Sequence, residues 1–335
     1  MRMAQIRNTT PSVLHVSQVT ELGGVTYCVA DYTRLQVERG WRVFVACPPG
    51  LLHDLAARAG AETLPWPASR EPGPGVVDEV RRLSGIIRRA RPDVVHLHSS
   101  KAGLAGRLAL RGNRPTVFSP HGWSWDAVQG RMREVVTRWE RSAARWTHSY
   151  LCVSQDERDQ GLVRGLDGAW QVLPNAVDPT VAAVADRSVA RRRLGVAPDQ
   201  PLTVCVGRLC RQKGQDVLLG AWPRVASSVP GAGLVLVGDG PDRPDVEQAT
   251  AGRDDVRLAG AVSRAESLEW MAAADVVVLP SRWEGMALVL LEARAMARAI
   301  VATDVTGTRE AMGTWGGVLV PPEDPAELAD ALTRL

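Results

Sequence analysis

Lysine is almost missing from this chain. Of its 40 basic side chains only two are lysine, Lys101 and Lys213. Other things are missing too. The five cysteines (Cys28, Cys47, Cys152, Cys205 and Cys210) form no CxxC pair. Most lie in apolar, strand-like runs, which predicts buried, reduced thiols in a cytosolic protein. No apolar run reaches the ~18 residues of a membrane-spanning helix. The opening "MRMAQIRNTTPS" lacks the apolar core of a signal peptide. No internal repeat at a fixed short period is present. The formal net charge of +3 is too small to argue for a nucleic-acid partner. That charge is unevenly spread. Residues 1–180 carry 23 basic and 17 acidic side chains, a net of +6, and residues 181–335 carry 17 and 20, a net of −3. A basic first half suits an anionic lipid or an anionic acceptor.

What is present is a regular alternation of short apolar runs and helical patterns. The first set of runs is 13–18, 42–47, 62–66, 93–99, 116–121, 149–154 and 171–177. The second is 202–209, 233–240, 256–261, 276–281, 300–305 and 317–322. Continuous apolar strands alternating with helices predict parallel sheets covered on both faces. Thirteen strands exceed one sheet, and the stretch 179–201, with prolines near both ends and no strand pattern, reads as a linker. The expected architecture is α/β: two Rossmann-like doubly wound domains, 1–180 and 181–335, facing a cleft. Ligands of such sheets bind beyond the carboxyl ends of the strands. The Pro/Gly-rich piece 65–75 reads as a surface loop.

Several residues just after strands could carry chemistry. Lys213 follows the strand of "VGRLCRQKG" and stands beside a glycine. A compact ammonium on a flexible stem suits a small target such as a phosphate oxygen, where arginine offers a wide fork. In "VVVLPSRWEGMALVLLEARAMARAIVATD" (276–304), Glu292 lies inside an apolar helix and needs a partner. That partner is either a ligand diol or a neighbouring arginine, such as Arg294 or Arg298. Glu284 and Gly285 precede the helix, expected from about Ala287 to Arg298. The amides of Met286, Ala287 and Leu288 then form an anion site or an ordinary cap. In "SSKAG", Ser99, Ser100 and Lys101 suit either an acceptor phosphate or a capped helix. His96 and His98 are read as pointing to opposite strand faces, which makes them poor joint metal ligands, with His96 a packed strand residue. The basic, Trp-containing stretch 131–146 is read as a solvated helix face whose tryptophans pack inward, with an anionic membrane surface as the other reading.

The segment 276–304 resembles the retaining GT-B glycosyltransferases of family 4, whose signature pairs a Glu with a second Glu eight positions on, after "PS" and before "AT". Here these are Pro280-Ser281, Glu284-Gly285, Glu292-Ala293 and Ala302-Thr303. "GRLCRQKG", "LVGDGP", "VRLAGAVSR", "PNAVD", the Gly-Gly loop at 21–43, "HLHSSKAG" and "SPHGW" extend the resemblance over almost the entire chain, the last two toward the branch that builds bacterial surface polysaccharides. The resemblance implies a nucleotide-diphosphate sugar donor and a hydroxyl acceptor such as a lipid-linked saccharide. It implies that Gly207, Arg208 and Lys213 hold the diphosphate, that Glu292 holds the ribose, and that Glu284 and residues 285–288 hold sugar and phosphates. His121 is placed near the reacting carbon, and Gly23 and Gly24 let the first loop approach the phosphates. No metal or other cofactor is expected. The implied location is cytoplasmic, at the inner face of a membrane.

The match departs from the family at particular positions. Met286-Ala287 replace the usual Phe-Gly, and Ala297 and Ala299 replace the Gly and Pro of "A-x-G-x-P". These put donor preference in question. The family's usual final helix does not follow residue 335, and two readings stand: looser domain closure, or a sequence that is a piece of a longer chain. Two alternatives stand beside transfer: a nucleotide-binding partner without turnover, and a nucleotide-sugar epimerase on the same architecture.

Overall fold

The computed structural model describes residues 10–19, 23–70, 73–184, 186–314 and 316–335. Its chain forms two compact units. Met1–Cys152 with Arg158–Val172 make the first, and Val153–Glu157 with Leu173–Leu335 make the second.

The first unit alternates strand and helix: β1 (Ser12–Ser17), α1 (Gly24–Glu38), β2 (Arg42–Cys47), α2 (Leu51–Arg58), β3 (Glu62–Pro65), α3 (Val76–Ala90), β4 (Val94–His98), α4 (Ser99–Leu110), β5 (Thr116–Ser119), α5 (Gly130–Ala144), β6 (Ser149–Cys152), α6 (Gln155–Val163) and β7 (Ala169–Val172). Its sheet has the order β3-β2-β1-β4-β5-β6-β7, all parallel. Helices cover both faces, so the strands are largely apolar, with His15 on β1 and His96 and His98 on β4 as buried polar exceptions. On one face Leu14, Val16, Phe44, Leu97 and Phe118 pack with Trp66, Trp123, Trp125 and Tyr150. The smaller cluster on the other side holds Val13, Val29, Val43 and Val45. The order reverses between β1 and β4. A crevice opens at the carboxyl ends of the strands at such a point.

The second unit follows the same plan: α7 (Arg187–Leu194), β8 (Leu202–Val206), α8 (Gln215–Ser228), β9 (Gly233–Val237), α9 (Arg243–Thr250), β10 (Val256–Gly260), α10 (Arg264–Ala273), β11 (Val276–Leu279), α11 (Leu288–Ala295), β12 (Ala299–Thr303), α12 (Thr308–Met312), β13 (Val318–Val320) and α13 (Pro325–Arg334). Its sheet order is β10-β9-β8-β11-β12-β13, again parallel, with the reversal between β8 and β11.

Thus all thirteen expected strands form, in two sheets of seven and six. The stretch 179–201 departs from its reading as a linker. It folds into a short 3₁₀ turn and α7, within the second unit, and the division falls earlier, at Val172/Leu173. The cause is Arg191. Its buried guanidinium donates to the carbonyls of Ala197, Pro198 and Gln200 at 2.7–3.0 Å and to Asp275 at 2.7 Å. One fork satisfies a whole turn of backbone.

The 65–75 piece is likewise less of a loose loop than expected. Trp66 is fully buried and donates its indole N–H to the Glu79 carbonyl at 3.0 Å. Residues 71 and 72 lie outside the described set. α5 agrees with the solvated reading. Arg131, Arg133, Arg138 and Arg141 are exposed, while Trp139 turns partly inward under Arg107. Four of the cysteines are buried and Cys28 is half-buried. Among the described residues no helix is long and apolar enough to cross a membrane.

Candidate active site

In the second unit, the candidate residues gather at the carboxyl ends of β8 and β11, across the reversal of the strand order. The chain leaves β8 through Gly207 and Arg208, makes a 3₁₀ turn over Arg211–Lys213, and enters α8 after Gly214. Gly214 has φ +67, and a Cβ there would lie 2.0 Å from the Pro280 carbonyl oxygen. Only glycine permits so close an approach of the Lys213 turn to the end of β11. The two segments are then stitched together. Arg282 N donates to Gln212 O at 2.8 Å, and Gln212 Nε2 donates to Trp283 O at 3.0 Å. The Arg282 guanidinium grips both Asp216 carboxylate oxygens at 2.7–2.8 Å. The paired guanidinium holds the Asp216 carboxyl below the ordinary carboxylate range.

This scaffold brings Lys213 against Glu284. The Lys213 ammonium and the Ser281 hydroxyl both donate to Glu284 Oε1, the latter at 2.7 Å. Oε2 has no partner among the described residues. Lys213 retains two further N–H donors for a ligand. The side chain of Glu284 is 8% exposed and that of Lys213 is 19% exposed, so the pair is sheltered yet reachable. The sequence assigned these residues to separate targets, and the fold couples them. Gly207 lies beside the Lys213 stem. Arg208 is half-buried in the same turn, and its carbonyl accepts from Gln215 Nε2 at 3.0 Å.

α11 begins at Leu288 with Ala287 as its cap, one residue later than expected. The first-turn amides are therefore those of Leu288 and Val289. Met286, Ala287 and Leu288 are all buried. The preceding loop is held by Gly307, whose φ of +73 brings it so near the Gly285 carbonyl that a Cβ would lie 1.8 Å from that oxygen. Glu292, one turn into α11, is 5% exposed and pairs with Arg264 of α10 at 2.7 Å. Of the alternatives open in the sequence, a neighbouring arginine is realised, and it is neither Arg294 nor Arg298. Burial raises the Glu292 pKa, and the Arg264 charge opposes that rise.

In the first unit a cluster of buried histidines lies on β1 and β4 and just past β5, with His121 its half-buried member. His96 and His98 share one face of β4, contrary to the expectation of opposite faces. Side chains two apart on a strand point the same way. Their ring centroids are 3.9 Å apart. His15, beside His96 in the β1–β4 register, joins them. These three are the one group with metal-ligand spacing among the described residues. His15 and His98 are fully buried, and His96 is 6% exposed. Four side-chain contacts organise the cluster. Gln36 Oε1 meets His15 Nε2 at 2.7 Å, and His15 Nδ1 meets His98 Nε2 at 2.9 Å. His98 Nδ1 meets His121 Nε2 at 3.1 Å, and His96 Nε2 meets Ser119 Oγ at 2.8 Å. Burial lowers every one of these imidazoles, His15 and His121 to about 4 and the other two well below the ordinary value. All are neutral at pH 7. His121 sits in the turn after β5 with φ +53, a backbone state uncommon outside glycine.

Gly23 caps α1 in an extended conformation with open space around it, and Gly24 opens the helix, exposed. Residues 20–22 lie outside the described set. The acceptor-phosphate reading of Ser99, Ser100 and Lys101 is corrected at its lysine. Lys101 is 2% exposed, with its ammonium 2.8 Å from Glu79 and 3.0 Å from Ser69 Oγ. Its charge is already answered inside the fold. Burial alone would raise Glu79, but Lys101 and the N–H and hydroxyl of Ser69 hold it below the ordinary range. Ser99 and Ser100 are half-buried, and Ser99 has φ +69.

Sequence reasoning missed His15, Gln36 and Arg264, and gave Ser281 a place in the motif but no role. The histidine face was readable from strand periodicity. The Arg264–Glu292 pair carries no local signal, because the partners lie on different helices.

Two family models match the chain: Glycosyltransferase Family 4 over residues 22–181 and Glycosyl transferases group 1 over residues 200–335. An alpha-D-kanosaminyltransferase of Streptomyces kanamyceticus is 32% identical, covering 74% of this chain and 69% of that protein. A UDP-Gal:alpha-D-GlcNAc-diphosphoundecaprenol alpha-1,3-galactosyltransferase of Escherichia coli is 27% identical over 76% of this chain and 68% of its own length. Among solved structures, Anabaena Alr3699/HepE in complex with UDP and glucose has a TM-score of 0.80 at 23% identity, covering 96% of this chain and 89% of its own.

Proposed function

We propose a reaction for a chain that belongs, by both family models and its relatives, to the GT-B glycosyltransferases of family 4. The chain is a glycosyltransferase that uses a nucleotide-sugar donor. Beyond that, we propose transfer to a hydroxyl acceptor with retention of anomeric configuration, the acceptor being a lipid-linked saccharide or similar glycoconjugate precursor. The bond from the anomeric carbon to the diphosphate oxygen breaks, and its electron pair leaves with the diphosphate. The acceptor oxygen bonds to the carbon, and its proton passes to the departing diphosphate oxygen.

The observation that carries this reading is the Lys213–Glu284 pair at the sheet's reversal point, beside the N-terminus of α11. The leaving diphosphate gains charge as the bond breaks. A fixed cation aimed at that charge favours the transition state over the ground state. Arg208 and Lys213 supply this charge, so the reading requires no metal ion. Glu284, braced by Ser281 and Lys213, receives a sugar hydroxyl on its second oxygen. Glu292 takes the ribose diol, with Arg264 giving way. Gly23, Gly24, the loop at 285–287 and the amides of Leu288 and Val289 line the donor, and His121 meets a substrate hydroxyl. The names of both relatives specify an alpha-configured product, which amounts to retention where the donor sugar is itself alpha-linked.

Peripheral contact with the cytoplasmic face of an anionic membrane is also proposed. It is supported by the exposed Met132 and Val135 of α5 among exposed arginines.

The test is a panel of nucleotide sugars offered to the purified protein with and without acceptor hydroxyl compounds. Nucleoside diphosphate released only when acceptor is present is the expected result. Tight donor binding without turnover across the panel would instead identify a partner protein. Interconversion of the donor sugar without acceptor would identify an epimerase.

A further inference from the structure

The histidines of the first unit form a line, and the line has a direction. Gln36, His15, His98 and His121 are joined end to end by contacts of 2.7, 2.9 and 3.1 Å. Gln36 stands on α1, His15 on β1, His98 at the end of β4 and His121 just past β5. A neutral imidazole has one N–H and one bare nitrogen. When two such rings meet nitrogen to nitrogen, one must donate and the other must accept. Each ring that accepts through one nitrogen donates through the other, so the choice made at one end is copied along the whole line.

The choice follows from which atom of the Gln36 amide faces His15, and that atom is Oε1. With its oxygen toward His15, His15 donates from Nε2 and accepts at Nδ1. His98 then donates from Nε2 and accepts at Nδ1, and His121 donates from Nε2. The last nitrogen, His121 Nδ1, is left bare. It has no partner among the described residues. Replacing the oxygen of Gln36 with a donor reverses all three rings, and Nδ1 of His121 then carries the proton. We propose that Gln36 is a positioning residue that fixes the tautomer of His121 through His15 and His98, so that His121 presents a hydrogen-bond acceptor to a substrate hydroxyl. Only the functional half of this statement rests on the substrate-facing role of His121 given above.

The same cluster could be read as a metal site. Among the described residues no carboxylate or thiol joins the three histidines to balance a dication in a buried place. The facing nitrogens of His15 and His98 are already at hydrogen-bond distance. The surroundings favour a neutral line. Tyr32, one turn before Gln36 on α1, stacks parallel to His15 with centroids 6.3 Å apart. His96 is turned aside to Ser119 and stays off the line.

The test uses the full chain labelled with ¹⁵N-histidine at pH 8, where the rings are neutral. His121→Asn identifies the His121 signals by their loss. Gln36→Glu offers only an acceptor to His15, and Gln36→Lys offers only donors. The wild-type protein and Gln36→Glu are expected to show a bare Nδ1 and a protonated Nε2 at His121. Gln36→Lys is expected to show the reverse, with the His96 signals unmoved as a sign of an intact sheet. Turnover in Gln36→Lys should fall about tenfold, the effect of one lost hydrogen bond, with KM for the donor changing less, and Gln36→Glu should retain it. An unchanged His121 tautomer in Gln36→Lys overturns the proposal whatever the activity. A reversed tautomer with full turnover upholds the coupling and removes His121 from the substrate.

Discussion

All six histidines lie in the first unit and none in the second, while each unit keeps one of the chain's two lysines beside a glutamate. The first unit buries both a cluster of neutral rings and its lysine. Lys101 meets Glu79 with side chains 1% and 8% exposed. The second unit places its lysine at the crevice, partly open, with donors to spare. Two lysine–glutamate pairs of similar chemistry thus differ in access. A closed pair serves the fold, since opening it leaves an unanswered charge in a dry place. An open pair can take a ligand's charge on the donors its ammonium has to spare. The difference explains why scarcity of lysine alone could not tell which of the two was functional.

The sharpest way to break this comparison is Lys213→Ala. If Lys213 stabilises the departing diphosphate, turnover should fall by about a thousandfold, the scale of losing one preorganised donor. The melting temperature should fall as well, because Glu284, 8% exposed, keeps only the Ser281 hydroxyl, so turnover is compared per folded molecule. Steady-state kinetics beside a thermal scan separates the two effects. Near-normal turnover would remove the pair from catalysis.

Lys101→Met inverts the pattern. It strands the buried Glu79 carboxylate and should cost about 3 kcal/mol of stability. Turnover per folded molecule should stay close to wild type. Urea unfolding and an active-site-normalised assay measure the two quantities. A stable variant with lost activity would restore Lys101 to an acceptor site.

The fold was largely legible because buried parallel strands announce themselves as continuous apolar runs, from "VLHVS" to "VVVL". The second unit's site was legible for a related reason: its residues fall in two short segments at fixed offsets from strand ends. What stayed hidden was long-range pairing. Arg264 with Glu292, Glu79 with Lys101, and Gln36 with His15 join residues 21 to 28 positions apart on different elements. No periodicity connects them. Arg191 misled in a similar way. A run of three arginines looks like a solvated linker until one of them is seen to satisfy the carbonyls of the next turn.

Backbone strain sharpens the comparison at its smallest scale. In the first unit Ser99 and His121, with φ of +69 and +53, hold left-handed conformations at the crevice itself. In the second unit Glu323 holds one, at φ +61, and so does Ala297, at φ +54. Its reason is the end of α11. Ala297 N donates to Arg294 O and Arg298 N to Ala293 O, both at 3.0 Å, the paired bonds of a helix ending that favours glycine at this place. The family's usual Gly is therefore a backbone requirement, and Ala297 bears its cost. A left-handed alanine costs about 1–2 kcal/mol. Glycine would return roughly 0.4–1 kcal/mol of that through the greater freedom of the unfolded chain. Ala297→Gly should then raise stability by about 0.5–1 kcal/mol. Ala297 is exposed, so little packing is lost. A shift of the urea midpoint with unchanged kinetics is expected. A drop in stability would show that the alanine methyl group is held by contacts worth more than the strain. A change in turnover would tie this helix end to the site and erase the contrast between strain that serves a crevice and strain that a family position merely tolerates.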